Sequence, residues 1–178
     1  MSRIGRMPIV IPAGVDVKLD ANVVTVKGPK GTLTQSIHPD MIVKIEDGSV
    51  KVERPSEAKN HKALHGLTRT IIANMVNGCN ETFKKTLEIN GVGYKAAMEG
   101  KRLVLNIGYS HPVYFDQPDG ITIEVPNPNT VVVSGADRQK VGQLSAEIRG
   151  KRPPEPYLGK GIKYADERIR RKAGKAGK

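Results

Sequence analysis

The stretch from Glu57 to Asn77, EAKNHKALHGLTRTIIANMVN, is the clearest single element in the chain. Ser56 is placed to cap its start and Gly78 to end it. The pattern predicts an amphipathic helix that covers one face of a sheet. Its apolar residues recur at three- and four-residue spacing, the period of one helical face: Leu64, Leu67, Ile71, Met75 and Val76.

Short strands with turns are predicted before this helix, because apolar residues there alternate in runs of three to five. They cover 9–11, 15–19, 23–26, 41–45 and 50–53, with a short strand at Leu33. The glycine and proline segment Lys27–Gly31, KGPKG, is interpreted as a hairpin turn. Asp47-Gly48 is a second hairpin signal.

The second half repeats this order. Strands are predicted over 87–89, 94–98, 103–107, 113–115, 121–125 and 131–133, and a helix over Asp137–Arg149 with Gly150 as its terminator. Ile9 falls on Ile89 and Leu64 on Leu144, an offset of 80 residues. A loose likeness between any two strand-rich segments is the alternative, but it would not easily place both helices at one offset.

We therefore predict an internal duplication. The expected fold class is α+β, with two tandem duplicated domains, each an antiparallel sheet packed by one main helix, plus a basic C-terminal extension. The expected domains are residues 1–82 and 83–152, and the extension is 153–178.

The positive charge is concentrated at the C-terminus. From Gly150 onward 29 residues hold ten Lys or Arg and three acids, a net +7 of the total +11. With prolines, glycines and few apolar residues, this segment is predicted not to fold by itself and to order against a polyanion. RNA is the leading candidate, because clustered cations release counterions from phosphates. A merely soluble basic protein is the alternative.

Several function classes are not expected. The single Cys79 excludes an intramolecular disulfide and favours a reducing compartment, so we expect a cytoplasmic protein. No apolar run approaches the ~18 residues of a membrane span, and the N-terminus lacks a signal-peptide pattern. We expect no membrane partner.

The motif PEPYLGKGI, Pro154–Ile162, differs in kind from a flexible solvated linker, which is its alternative interpretation. Prolines keep the chain extended, glycines let its backbone approach a phosphate ridge, and lysines and tyrosines supply charge and stacking rings. These residues are Pro153, Pro154, Pro156, Gly159, Gly161, Lys160, Lys163, Tyr157 and Tyr164.

Two glycine-rich segments suggest nucleotide binding only weakly. Asn90–Ala96, NGVGYKA, has the glycine spacing of a dinucleotide fingerprint, but strand and not helix is predicted after it. A nucleotide-dependent enzyme with its site at the Gly91 turn remains only as a rival hypothesis. KGPKG lacks the ending of a P-loop, so the hairpin turn is favoured, with Lys27 and Lys30 as additional RNA candidates.

No catalytic or metal site is predicted. His61 and His65 are four residues apart, but a solvated polar face explains them better than a metal site. Cys79, expected just past the helix end, has no histidine placed in sequence to activate it. We therefore expect no enzyme activity, no cofactor, no metal and no small-molecule substrate.

Several separated motifs stand in family order along the chain. They are SRIGRMPIVIPAGV (Ser2–Val15), VKGPKGTL (Val26–Leu33), GVGYKA (Gly91–Ala96) and RGKRPPEPYLGKGIKYADE (Arg149–Glu167). On these motifs the chain resembles the family of ribosomal protein six of the large subunit, bacterial type. The family pattern carries Lys after the tyrosine of its tail motif. This chain has Leu158 there, which weakens the argument for a phosphate contact at that position.

The resemblance implies a structural constituent of the large ribosomal subunit in the cytoplasm. It implies binding to large-subunit (23S) rRNA mainly through the C-terminal part, near the sarcin-ricin region and the stalk base, in support of subunit assembly and translation. The implied partners are rRNA, neighbouring large-subunit ribosomal proteins and translation factors at the stalk base. A general nucleic-acid-binding protein outside the ribosome is the alternative.

Phosphate contacts should dominate the interface, so we expect recognition of folded RNA shape and not of base sequence. Arg3 and Arg6 are secondary candidates. The principal rRNA surface is predicted to comprise Lys151, Arg152, Tyr157, Gly159, Lys160, Gly161, Lys163, Arg168, Arg170 and Arg171.

Overall fold

The computed structural model describes residues 3–46 and 48–174, which form 13 strands and three helices. The chain divides into two units. The first runs to Thr82 and also takes in Ala136–Arg138, and the second consists of Phe83–Gly135 and the residues from Gln139 onward. Both units combine antiparallel strands with helices, so the predicted α+β class is confirmed.

The first unit places its strands in two antiparallel sheets, of order β1-β6-β5 and β2-β3-β4. The elements are α1 (Arg3–Arg6), β1 (Ile9–Val10), β2 (Asp16–Asp20), β3 (Val23–Gly28), β4 (Gly31–Ser36), β5 (Ile42–Glu46), β6 (Ser49–Glu53) and α2 (Lys59–Asn80). Alternation in β3 buries Val24 and Val26 completely, and they share a core with Val50 and Ile72.

The second unit has one sheet of order β11-β12-β7-β13 and another of order β10-β9-β8. Its core joins both sheets to α3 through fully buried Leu87, Ile89, Leu103 and Ile148. The elements are β7 (Phe83–Asn90), β8 (Lys95–Glu99), β9 (Arg102–Asn106), β10 (Val113–Asp116), β11 (Ile121–Asn127), β12 (Thr130–Gly135), α3 (Arg138–Lys151) and β13 (Gly161–Tyr164).

The strand register supports the predicted duplication. Val17 pairs with Val26 in the first unit, and Ala96 pairs with Leu105 in the second, each residue displaced by 79 positions. β2 to β6 correspond in order to β8 to β12, and α2 corresponds to α3. Within each unit the strands are divided between two sheets.

Both predicted hairpins are present. Gly28 pairs with Gly31 across the KGPKG turn, and Glu46 pairs with Ser49 across the Gly48 turn. Gly48 has a φ of +70°, which a glycine adopts without steric cost. Asp47, the other half of that turn signal, lies outside the described residues.

The predicted ends of α2 are wrong. The helix begins at Lys59 after Ala58, which makes no side-chain cap. Ser56 lies two residues earlier, where its Oγ accepts a hydrogen bond of 3.2 Å from the Ala58 amide and closes a local turn. Gly78 does not end the helix. It is buried inside α2, which continues to Asn80 before Glu81 becomes extended.

Four of the five residues in the predicted apolar stripe of α2 are buried or packed against the core, and Leu67 is the exception. Leu67 is 55% exposed, whereas His65, Thr68 and Ile72 are buried. The predicted solvated face is therefore wrong for His65. Its Nε2 lies 2.8 Å from the Val52 carbonyl oxygen, and this hydrogen bond permits its burial.

Helix α3 confirms its predicted face, since Val141, Leu144 and Ile148 are buried. Gly150, however, does not terminate it, and the helix runs to Lys151. The stop comes instead from Pro153 and Pro154, because the residue before a proline is disfavoured in helical conformation. No helix within the described residues has the length and apolar character needed to span a membrane.

Candidate nucleic-acid interface

The C-terminal segment is folded as part of the second unit. β13 adds to β7 with Gly161 opposite Asn90 and Tyr164 opposite Leu87. Ile162 is completely buried in the second core. The expectation that this segment orders only against a polyanion is therefore wrong for β13, because one strand pairing and one buried apolar side chain hold it on the sheet.

Residues 153–160, which we call the C-terminal loop, are closed by backbone hydrogen bonds. The Ile162 amide donates to the Arg152 carbonyl at 2.7 Å, and the Glu155 amide donates to the Lys160 carbonyl at 2.9 Å. The Lys172 amide returns to the Pro156 carbonyl at 2.8 Å. The loop thus stands between α3 and β13 and also anchors the basic residues that follow β13.

The Glu155 carboxylate lies within the concave side of this loop. It accepts hydrogen bonds from the amides of Tyr157 (2.8 Å), Leu158 (2.6 Å) and Lys160 (3.2 Å). These bonds, that from Tyr157 above all, hold the pKa of Glu155 below its usual value. These loop amides are therefore satisfied from within the chain.

Gly159 of the C-terminal loop and Gly161 at the start of β13 both have a positive φ, which favours glycine. Gly161 has a φ of +135°, and a Cβ built there would lie 2.5 Å from the Pro153 carbonyl oxygen. Gly159 has a φ of +77°, and its Cβ would lie 3.1 Å from an Arg171 guanidinium nitrogen. Close approach of the chain to itself therefore gives these glycines a role within the fold, and their predicted close approach to RNA stays a prediction.

An ion pair fastens the chain after β13 to α3. Arg149 Nε and Nη2 donate to the two Glu167 carboxylate oxygens at 2.8 and 2.5 Å, a bidentate geometry. Glu167 Oε2 also accepts from the Tyr164 amide at 3.2 Å. Arg149, as the largest cause, lowers the pKa of Glu167. The sequence assigned no role to Glu155 or Glu167, because the net positive charge of the segment favoured an interpretation based on its cations alone.

The predicted cations do not all share one environment. Lys163 Nζ lies 2.7 Å from Glu88 Oε2 with only 20% of its side chain exposed, so its charge is already paired. Lys151 and Arg152 stand beside aromatic rings of the second unit. Lys160, Arg168, Arg170 and Arg171 are exposed and, like the exposed Lys151 and Lys172, take part in no ion pair among the described residues. We call the set of Lys160, Arg168, Arg170 and Arg171 the basic terminus.

The other predicted contacts are also exposed. Tyr157 is 55% exposed on the C-terminal loop, next to Leu158 at 66%. Arg3 and Arg6 are exposed on α1 of the first unit. Lys175 and Lys178, which contribute to the predicted charge of the extension, lie outside the described residues.

The rival sites lack the structure that their chemistry requires. Asn90–Ala96 covers the end of β7, a turn at 91–94 and the start of β8, with no helix beginning there, so no helix amides are offered to a pyrophosphate. A Cβ on Gly91 would lie 2.7 Å from the Tyr94 ring. Packing of Tyr94 against the turn therefore explains the glycine.

The histidines and the cysteine are engaged in local packing. His61 Nδ1 lies 2.8 Å from Ser56 Oγ, and His61 Nε2 lies 3.3 Å from Asp40 Oδ2. Within 3–46 and 48–174 no group of three His, Cys, Asp or Glu is arranged to hold a metal ion. Cys79 lies inside α2 and not past its end, and burial raises the pKa of its thiol.

The sequence of this chain matches known proteins over both units. The family model described as ribosomal protein L6 matches residues 11–82 and again residues 90–165, one match for each unit. The chain belongs to the ribosomal protein L6 family. As a member it is a structural protein of the large ribosomal subunit and not an enzyme.

Curated relatives of the L6 family match along the whole chain. The protein from Caldicellulosiruptor bescii is 65% identical over 100% of this chain and 98% of its own length. That from Caldicellulosiruptor saccharolyticus is 64% identical with the same coverage, and that from Carboxydothermus hydrogenoformans is 59% identical over 99% of this chain and 97% of its own. All three are named large ribosomal subunit protein uL6.

Proposed function

We propose that this L6 protein is held on large-subunit (23S) rRNA by its C-terminal segment, near the sarcin-ricin region and the stalk base. There it supports subunit assembly and translation beside neighbouring ribosomal proteins and the translation factors that dock at the stalk base. The names of its relatives support assembly into the large subunit. The location on the subunit is inferred from the family resemblance.

The observation that carries the rRNA attachment is the state of the basic terminus. Its four cations are exposed and take part in no ion pair among the described residues. Unpaired surface cations bind phosphates with release of condensed counterions, which is the main source of nucleic-acid affinity. Lys163 contributes less directly, since Glu88 already neutralises it.

The fold gives these cations a fixed base. The Lys172 amide bonds to the Pro156 carbonyl, and the Arg171 guanidinium lies against Gly159. Arg171 is therefore next to the loop that carries Lys160 and Tyr157. A phosphate backbone following this surface would meet charge and an exposed ring together.

Charge reversal in the basic terminus tests the attachment. We expect an Arg170→Glu, Arg171→Glu double variant to lose incorporation into large subunits reconstituted from rRNA and purified proteins. The slope of log affinity for isolated rRNA against log salt should fall by about 1.4–1.8, the contribution of two phosphate contacts. Lys163→Glu is unsuitable, because it would place a second carboxylate beside Glu88 and confuse folding with binding.

The matched control reverses two exposed lysines that take part in no ion pair among the described residues, Lys59→Glu in the first unit and Lys95→Glu in the second. It changes the net charge equally, so equal losses in both variants would mean that only total charge matters and would refute a specific surface. Duplex DNA competing as well as rRNA fragments at fixed salt would favour the general nucleic-acid-binding alternative. Hydroxyl-radical footprints outside the sarcin-ricin region and stalk base would overturn the location alone.

A further inference from the structure

An open pocket of about 440 Å³ lies in the second unit at the end of α3. Among the described residues no acidic side chain lines it. Its walls are Tyr109, His111, Pro112, Val113, Tyr114 and Lys151. We call it the aromatic pocket. Of these residues the sequence singled out only Lys151 for the interface.

The aromatic pocket exposes rings that a protein of this composition would be expected to bury. The chain has only five Tyr, two Phe and no Trp, yet Tyr109 is 44% and Tyr114 52% exposed. The rings of Tyr109 and His111 are nearly parallel, inclined by 14° with centroids 6.0 Å apart. Exposed flat rings grouped in one concavity provide a surface on which another flat ring can stack.

The Tyr109 ring is fixed in place. Its hydroxyl donates to the Lys151 carbonyl oxygen at 2.7 Å, and the Arg152 guanidinium carbon lies 5.0 Å from its centroid. Hydrogen bonds to Tyr109 and then Tyr94 raise the pKa of Arg152, so the positive charge beside the ring is permanent.

Lys151 adds a second cation at the wall of the pocket. Its Nζ lies 5.8 Å from the Phe115 ring centroid, and no ion pair among the described residues neutralises it. The occupant should therefore combine a flat apolar ring with negative charge. A nucleotide has both, since its base stacks on aromatic side chains while its phosphate meets lysine or arginine.

We infer that the aromatic pocket holds one unpaired nucleotide of the bound RNA, with its base against the Tyr109, His111 and Tyr114 rings and its phosphate at Lys151. This inference rests on the proposed attachment to rRNA and goes further by naming a structural feature of the RNA. Bases inside an A-form duplex are stacked and inaccessible to side chains, so the pocket selects a bulged, looped or terminal nucleotide. It gives the interface a site for a base in addition to its phosphate contacts.

Binding of two RNA probes to the full chain tests this inference. One is a single-stranded oligoadenylate containing 2-aminopurine, and the other is a blunt RNA duplex of equal phosphate number. Tyr114→Ala should lower affinity for the single strand about 5- to 150-fold, the range for loss of one stacked base, and abolish the quenching of 2-aminopurine. Affinity for the duplex and the salt dependence should not change. His111→Ala should act in the same direction.

Two further variants keep the outcomes distinct. Tyr114→Phe retains the ring and should bind like the wild type, which separates stacking from folding. Tyr109 is left intact, because its hydroxyl also holds the end of α3. Single-strand affinity and quenching that survive Tyr114→Ala and His111→Ala would overturn the inference. The inference would also be overturned if an acidic peptide displaced the single strand from the wild type but not from Tyr114→Ala.

Failure of the proposed attachment gives a different result. The Arg170→Glu, Arg171→Glu variant should weaken binding of both probes and reduce the salt dependence, whereas the pocket variants affect the single strand alone. A double variant that binds both probes like the wild type would refute attachment by the basic terminus while leaving the pocket result standing.

Discussion

Replacement of Ile162 by Ala is the sharpest test of the way the C-terminal segment is held. Ile162 is completely buried among the side chains of the second core, on a strand of only four residues, Gly161–Tyr164. Truncation of a buried isoleucine to alanine costs about 2–5 kcal/mol, from lost transfer free energy and from the cavity left behind. For a chain whose whole stability is about 5–15 kcal/mol, this is a large fraction.

Urea unfolding followed by circular dichroism measures the loss, since the protein has no Trp to report by fluorescence. With an m-value of about 2 kcal/mol/M, the midpoint should fall by about 1–2.5 M. Ile162→Val should shift it less, by the equivalent of about 0.5–1.5 kcal/mol. Trypsin should also cleave after Lys160 and Lys163 faster in the Ala variant, because β13 would leave the sheet more often.

Leu158→Ala provides the matched control, since Leu158 is 66% exposed and only four residues away. A surface truncation of this kind changes stability by no more than about 0.5 kcal/mol. If Ile162→Ala and Leu158→Ala unfolded at the same urea concentration, with the same trypsin sensitivity, β13 would not be part of the second core. The segment after α3 would then behave as the free tail that its composition suggests.

Two other predictions concern the same segment. Gly161→Ala should lower the unfolding temperature, because it combines a φ of +135° with a Cβ 2.5 Å from the Pro153 carbonyl oxygen. Gly150→Ala is the control, since a Cβ at that position in α3 meets nothing within 4 Å, and it should stabilise the protein by about 0.5–1 kcal/mol. Equal shifts of the unfolding temperature in the two variants would disprove the packing assigned to Gly161. Glu167→Gln should cost about 1.5–3 kcal/mol. Arg149 lowers the pKa of Glu167 in the folded state. The stability that this ion pair contributes is therefore present above the unfolded pKa of about 4.3 and is lost as pH falls from there through the lower folded pKa. Acid titration of unfolding should show this loss in the wild type but not in Glu167→Gln, and parallel curves would contradict the prediction.

Much of the fold could be predicted because its elements are long or repeated. Helix α3 has three apolar residues at helical spacing, and all three are buried. The two halves match at a nearly constant offset, so each supports the interpretation of the other. Strands such as β3 alternate clearly enough that their buried face follows from the period of two.

Helix ends and β13 could not be predicted from local pattern. Gly78 and Gly150 resemble stop signals, but tertiary packing in α2 and the position of the prolines after α3 decide where each helix ends. β13 has only four residues, and Ile162 is its one completely buried side chain. One buried side chain cannot establish a periodic pattern. The partner of β13, β7, is distant in sequence, and pairing across such a separation leaves no local signal.

The candidate interface was predicted in composition but not in arrangement. Counting cations located the basic segment, yet it could not separate Lys163, paired with Glu88, from Arg170, which has no ion pair among the described residues. The aromatic pocket was missed because its walls come from the residues around β10 and from the end of α3, which approach only in the folded chain.

The carboxylate of Glu155 has a consequence for the rate at which this protein joins its subunit. By occupying the loop amides itself, Glu155 keeps residues 153–160 in shape before any nucleic acid arrives. A loop that already has its bound conformation loses little entropy on docking and needs no slow rearrangement after first contact. Encounter with the RNA would then depend on diffusion and electrostatic steering, and not on folding of the loop.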